Sequence, residues 1–119
     1  MAGYYEEIYI ENIFKDSGFE KKLKAIKELG KMQSKNAIPK LKEIAQNSNA
    51  NINLRLNSIL ALAEIGDRTF ITKFLPLENQ QDIEIVEAII IAIGKLRATE
   101  YIMEFEKFIN SSNKDIKIT

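Results

Sequence analysis

The chain reads as an all-α protein, a tandem array of helical hairpins, and three observations predict it. One stretch recurs: Ala25 to Ile44 runs A-I-K-E-L-G-K-M-Q-S-K-N-A-I-P-K-L-K-E-I, Leu62 to Leu77 runs L-A-E-I-G-D-R-T-F-I-T-K-F-L-P-L, and Ile93 to Phe108 runs I-G-K-L-R-A-T-E-Y-I-M-E-F-E-K-F. Leu29, Leu62 and Ile93 then stand in register at offsets of 33 and 31, a period that marks stacked supersecondary units. Within each copy, apolar residues recur at the three- and four-residue steps of one helix face. Polar and turn-forming clusters separate the apolar runs.

Tyr4 to Phe14 has helical spacing at Tyr5, Ile8, Tyr9 and Ile13, and Asp16-Ser17-Gly18 closes it. Residues 1–18 are therefore expected to form an N-terminal capping helix on the first full repeat. Tyr4, Tyr5 and Tyr9 read either as packing toward Phe14 and Phe19 or as an aromatic interface cluster. Repeat one spans 19–48. Its first helix carries the stripe Leu23, Ile26, Leu29 and Met32, with Ala25 and Gly30 beside it to admit a close neighbour. Gly30 inside a helix costs about 1 kcal/mol against Ala, which calls for a packing reason. After a polar turn at Gln33 to Asn36, the second helix, Ala37 to Gln46, turns Ile38, Leu41, Ile44 and Ala45 inward and tolerates Pro39 in its first turn.

Repeat two spans 49–79. Its first helix, Ile52 to Ile65, faces Leu56, Ile59, Leu62 and Ala63 inward. Gly66 suits the left-handed closing position and Asp67 the N-cap of a second helix holding Phe70, Ile71 and Phe74, ended or bent at Pro76. After a loop at Glu78 to Gln81, repeat three spans 80–112. Asp82 is expected to cap its first helix, whose Ile83, Val86, Ile89, Ile90, Ile91 and Ile93 cover most of the circumference, as in a helix buried between neighbours. Thr99 is expected to cap the second, with Tyr101, Ile102, Phe105, Phe108 and Ile109 inward, before a loop at Asn110 to Asn113. Residues 113–119 read as the opening of a further repeat, because Asp115-Ile116-Lys117-Ile118 echoes Asp82-Ile83-Glu84-Ile85.

Composition narrows function by exclusion. The 119 residues form a single domain of 45% apolar and 29% charged residues with zero net charge, so no global field draws the chain to nucleic acid or an anionic surface. The absence of Cys rules out disulfides and thiolate metal sites, and the absence of His removes the usual general base and commonest zinc ligand. Glu64, Asp67 and Asp82 match no metal-loop spacing, and the five glycines form no phosphate loop. No catalytic residue, cofactor or metal is assigned, and the chain is not expected to be an enzyme. The longest uncharged apolar run, Ala88 to Gly94, is far short of the roughly 20 residues of a spanning helix. A cytoplasmic location is expected, and the abundance of Ile, Lys and Asn points to an AT-rich, bacterial genome.

The period, the small residues beside the first-helix stripe and the A-I-P that opens a second helix resemble the short bacterial HEAT repeats, including those of the phycobilin-lyase type. That pattern reads approximately A-L-x-x-L-G-x-I-G-D-x-x-A-I-P-x-L. Repeat one matches it with Ala25, Leu29, Gly30, Met32, Ala37, Ile38, Pro39 and Leu41; repeat two with Leu62, Ile65, Gly66, Asp67, Ile71 and Phe74; repeat three with Ile93, Gly94, Leu96, Ile102 and Phe105. Repeat three has Arg97-Ala98 in place of Gly-Asp and Met103 in place of Pro. The resemblance implies a right-handed α-α superhelix of about three hairpins whose second helices line a concave binding face. On that face it places Lys40, Glu43, Thr72, Lys73, Met103, Glu104 and Lys107, a mixed set suited to a polar protein or peptide. It also suggests that Asp67, Arg68 and Arg55 bridge neighbouring repeats.

Charge is uneven along the chain. Residues 1–20 hold five acids and one Lys, net −4; residues 21–43 hold eight Lys and two Glu, net +6; the remainder is net −2. Lys24, Lys27, Lys31 and Lys35 form a candidate basic face within the stretch from Lys21 to Lys42, either a phosphate-contacting surface or a solvated one. Three functions are thus expected in order: a protein-binding scaffold without catalysis, a nucleic-acid-binding helical repeat using that basic face, and a regulatory or accessory domain of a larger enzyme or membrane protein. An uncapped end around Phe105, Phe108 and Ile116 invites self-association.

Overall fold

The computed structural model describes residues 3–15 and 17–118, with side chains through Asn110. It holds six α-helices: α1 Gly3–Phe14, α2 Phe19–Lys31, α3 Ile38–Gln46, α4 Ile52–Ile65, α5 Ile83–Leu96 and α6 Ile102–Ile118. Short 3-10 segments stand at Lys35–Ala37, Thr69–Phe74, Leu77–Asn79 and Thr99–Tyr101. Among the described residues there is no strand, and no helix is long and apolar enough to cross a membrane.

The first helix of each repeat packs on the next, α2 on α4 and α4 on α5, while α1 packs on α2. The second elements of repeats one and two are shorter than the first, while α6, at 17 residues, is longer than α5. α3 lies against α4 and the Thr69–Phe74 segment, and α6 meets Leu77–Asn79. The result is a row, 54 × 27 × 16 Å, with a radius of gyration of 15.4 Å, against about 13.5 Å for a compact domain of this length. The core follows the predicted stripes: Ile26, Leu29, Leu41, Ile59, Leu62, Ile71 and Ile89 are fully buried. Gly30 has the packing reason expected of it. A Cβ built there would stand 3.0 Å from both Cα and Cβ of Ala61 on α4.

All three first helices end in one way. Ser34 N–H donates to the Leu29 carbonyl, Asp67 to Leu62 and Ala98 to Ile93, while Gln33, Gly66 and Arg97 donate to Gly30, Ala63 and Gly94. These paired bonds are the Schellman closure, which needs a left-handed residue at its turn. Gln33, Gly66 and Arg97 supply it, with φ of 52°, 97° and 51°, and they share the register of Leu29, Leu62 and Ile93. Repeat three therefore keeps the closure without the glycine. A side chain in that conformation costs about 1 kcal/mol, so Gly66→Ala is expected to destabilise by about that amount and Arg97→Gly to stabilise by somewhat less, because glycine gives back entropy to the unfolded chain. Urea unfolding of the two variants checks the opposite signs.

Several expectations are corrected. The second element of repeat two is a 3-10 segment, not an α-helix: Pro76 forces Leu75 into extended backbone (φ −95°, ψ 149°), leaving Asp67 to Phe74 too short for stable α-helical turns. The loop at Glu78 to Gln81 is partly a 3-10 turn, whose first residue, Leu77, is fully buried. Asp82 occupies the N-cap of α5 with no side-chain bond, because its carboxylate turns toward Arg55. Thr99 opens a 3-10 segment and does not cap α6. Asn110 to Asn113 is helix, since no Gly or Pro interrupts α6. On α6, Ile102 and Ile109 are exposed rather than inward. α5 is covered on one side only, with Ile83 55% and Ile91 50% exposed. On α1, Ile13 is buried but Tyr4 and Tyr5 stand in solvent, edge to face at 5.3 Å. At the apolar end expected from the sequence, Phe105 and Phe108 are half-buried, and the side chain of Ile116 lies outside the described residues.

Candidate functional site

The seven residues assigned to the second-element face fall in three separate groups. Lys40 pairs with Glu43 at 3.1 Å and lies 5.2 Å from the centroid of the Phe14 ring. Both border a depression of about 150 Å³ shared with Phe14, Lys22 and Leu54, facing back toward α1. Thr72 donates to the Thr69 carbonyl, 3.1 Å away within its own segment, and Lys73 beside it is exposed. Met103 is 70% exposed at the start of α6, where Glu104 pairs with Lys107 at 3.6 Å. Among the described residues no hydrogen bond or ion pair joins one group to another.

Three of the four basic-face lysines do gather. Lys24, Lys27 and Lys31 border one depression of about 270 Å³ on α2, while Lys35 lies beyond the helix end. Glu20 and Glu28 share that depression, and Glu64 of α4 joins Lys27 and Lys31 in the neighbouring one. Glu28 stands 4.0 Å from Lys31. Three lysines thus share their surface with three carboxylates. Binding to a phosphate backbone gains when unopposed protein cations displace its condensed counterions into solvent, and here the local balance is near zero.

The best-defined polar geometry holds the repeats to one another. Arg55 is 6% exposed on α4; its Nε donates to the Ala45 carbonyl in the last turn of α3 at 3.0 Å, and Nη1 lies 3.8 Å from Asp82. One side chain therefore spans all three repeats. Asp67 approaches Lys42 at 3.5 Å, and Lys42 donates to Thr69 at 2.7 Å, closing repeat one on repeat two. Gln33 donates to the Glu64 carbonyl at 3.0 Å. Arg68 makes a two-pronged pair with Glu100, at 2.8 and 3.1 Å, closing repeat two on repeat three. The Arg68 hydrogen bond, a bond from Glu100's own backbone and the Arg68 charge hold the Glu100 carboxyl below its usual value. Because the folded value is the lower one, the contribution is present at neutral pH and is lost as pH falls through it.

The bridging role expected of Arg55, Asp67 and Arg68 matches these contacts. The partner of Arg68 is not legible in sequence, since Glu100 is one acid among many; nor is the separate contact by which Ser34 donates to Glu6 of α1. Arg55 leaves one signal, a lone base within the apolar run of α4. No protein-family model and no curated protein matches the chain.

Proposed function

We propose that the chain is a non-catalytic scaffold, a right-handed α-α superhelix of three HEAT-like hairpins behind an N-terminal helix, that binds a protein or peptide along its second elements. The observation that supports this reading most is the repeated construction. Three identical closures in one register, with polar ties across both junctions, make a stiff row of surfaces. A pre-organised surface loses little entropy on binding. Lys73, Met103 and Lys107 stand on it in solvent, a mixed set that favours a polar peptide with a small apolar anchor. The balanced charge around Lys24, Lys27 and Lys31 counts against a nucleic-acid partner.

Site-specific photocrosslinking tests the reading. A photoreactive residue at Lys73 or Met103 is expected to give nuclease-resistant protein adducts in lysate, and one at Lys24 none. Adducts confined to Lys24, or abolished by nuclease, favour the basic face; no adduct from Lys73 or Met103 overturns the assignment.

A further inference from the structure

We propose that the chain forms a two-fold homodimer in which α5 of one copy lies antiparallel on α5 of the other. The first ground is register. Gly30, Ala63 and Gly94 are equivalent positions. Gly30 is buried against Ala61, Ala63 is 6% exposed, and Gly94 is exposed with nothing within 4 Å of where a Cβ would stand. The same progression holds at Ile26, Ile59 and Ile90: the first two are fully buried and Ile90 is half-buried. α5 thus turns outward the face by which its predecessors meet their neighbours. That face continues into an open apolar cleft of about 220 Å³ floored by Ile90, Ile93 and Phe105. A bare glycine on an apolar stripe suits a helix approaching to about 8 Å between axes.

The second ground is charge, and it selects a second copy in one orientation. Glu84 and Glu87 lie on the N-terminal half of this exposed face, Glu87 between Ile83 and Ile91, and Lys95 and Arg97 lie at its C-terminal end. Among the described residues none of the four has an ion-pair partner. An isologous contact sets each residue against a different one and repeats that pairing by symmetry. Antiparallel α5 helices centred between Glu87 and Ile91 bring Glu84 and Glu87 of each copy toward Lys95 and Arg97 of the other, and lay Ile83 over Gly94. A parallel arrangement sets like charges together. The other exposed apolar end, Tyr4, Tyr5 and Ile8 on α1, is flanked by Glu7 and Glu11, which repel Glu84 and Glu87. The dimer leaves the second-element side chains Lys73 and Lys107 outside its α5 contact, so it stands or falls separately from the proposed scaffold role.

Sedimentation equilibrium across a concentration series is the test. The weight-average mass is expected to rise from the 13.6 kDa of one chain to twice that value. Ile91→Glu sets a carboxylate beside Glu87 of the second copy and is expected to weaken association at least about tenfold. Glu87→Lys and Lys95→Glu are each expected to weaken it, and the double reversal to restore it. All three positions are exposed, and circular dichroism verifies that each variant is folded. A chain that stays monomeric up to about 1 mM, a dimer indifferent to Ile91→Glu, or single reversals that the double variant does not rescue each overturn the proposal.

Discussion

Replacing Arg55 with Ala is expected to lower the free energy of unfolding by about 3 kcal/mol, in the range for breaking a buried polar contact. The cost has two parts. The Ala45 carbonyl, on a fully buried residue in the last turn of α3, loses its side-chain donor, and a buried acceptor left unpaired costs about 1–3 kcal/mol. The aliphatic stem of Arg55 is also lost from between the repeats. Asp82 contributes little, because its side chain is 54% exposed and stands 3.8 Å away, and an exposed ion pair is worth about 0–1 kcal/mol. Arg55→Met separates the terms. It keeps the stem and is expected to cost about 2 kcal/mol, mainly for the orphaned carbonyl. Asp82→Ala is expected to cost less than about 1 kcal/mol. Urea unfolding of the three variants measures the order. If Asp82→Ala costs as much as Arg55→Ala, the ion pair and not the carbonyl holds the junction.

The repeat is legible because its signals are local. Leu29, Leu62 and Ile93 fix the register, apolar steps of three and four fix the helices, and Gly66 announces its own turn. Signals fail where one spacing serves two structures, or where a neighbour in space decides the outcome. Repeat two's second element has the helical spacing of Phe70, Ile71 and Phe74, yet 3-10 steps bury the same three side chains. Nothing local reveals that Arg97 keeps the left-handed closure after the glycine is lost; the pairing of Ala98 with Ile93 requires it. The uniform isoleucines of α5 suggest burial all round, but spacing cannot say whether a neighbour exists to cover Ile83 and Ile91. The second-element assignments rest on family likeness alone, and the ion pairs and hydrogen bonds of those side chains stay within single elements. Polar surface residues carry no periodic constraint, so their sequence positions say little about which of them meet.

Gly30 and Gly94 occupy the same place in their repeats, and substitution is expected to move stability in opposite directions. At Gly30 an added Cβ meets the backbone of Ala61 at 3.0 Å, which cannot rotate aside, so α2 and α4 must separate. Overpacking of this kind costs about 1–3 kcal/mol, against a helix-propensity gain of about 1 kcal/mol for removing glycine. Gly30→Ala is therefore expected to destabilise by about 1 kcal/mol net, and Gly30→Leu by about 3 kcal/mol, since the larger side chain forces the two helices further apart. At Gly94 an added Cβ meets nothing within 4 Å beyond its own helix backbone, and Gly94→Ala is expected to stabilise by up to about 1 kcal/mol from propensity alone. Unfolding at low protein concentration keeps any association out of the comparison. A cycle with Ala61→Gly identifies the contact: removing the Ala61 Cβ relieves part of the strain, so the Gly30→Ala and Ala61→Gly effects are expected to couple by at least about 0.5 kcal/mol. If Gly30→Ala stabilises as Gly94→Ala does, or if the cycle shows no coupling, then α2 and α4 do not meet at this point and the close approach that orders the row is wrong.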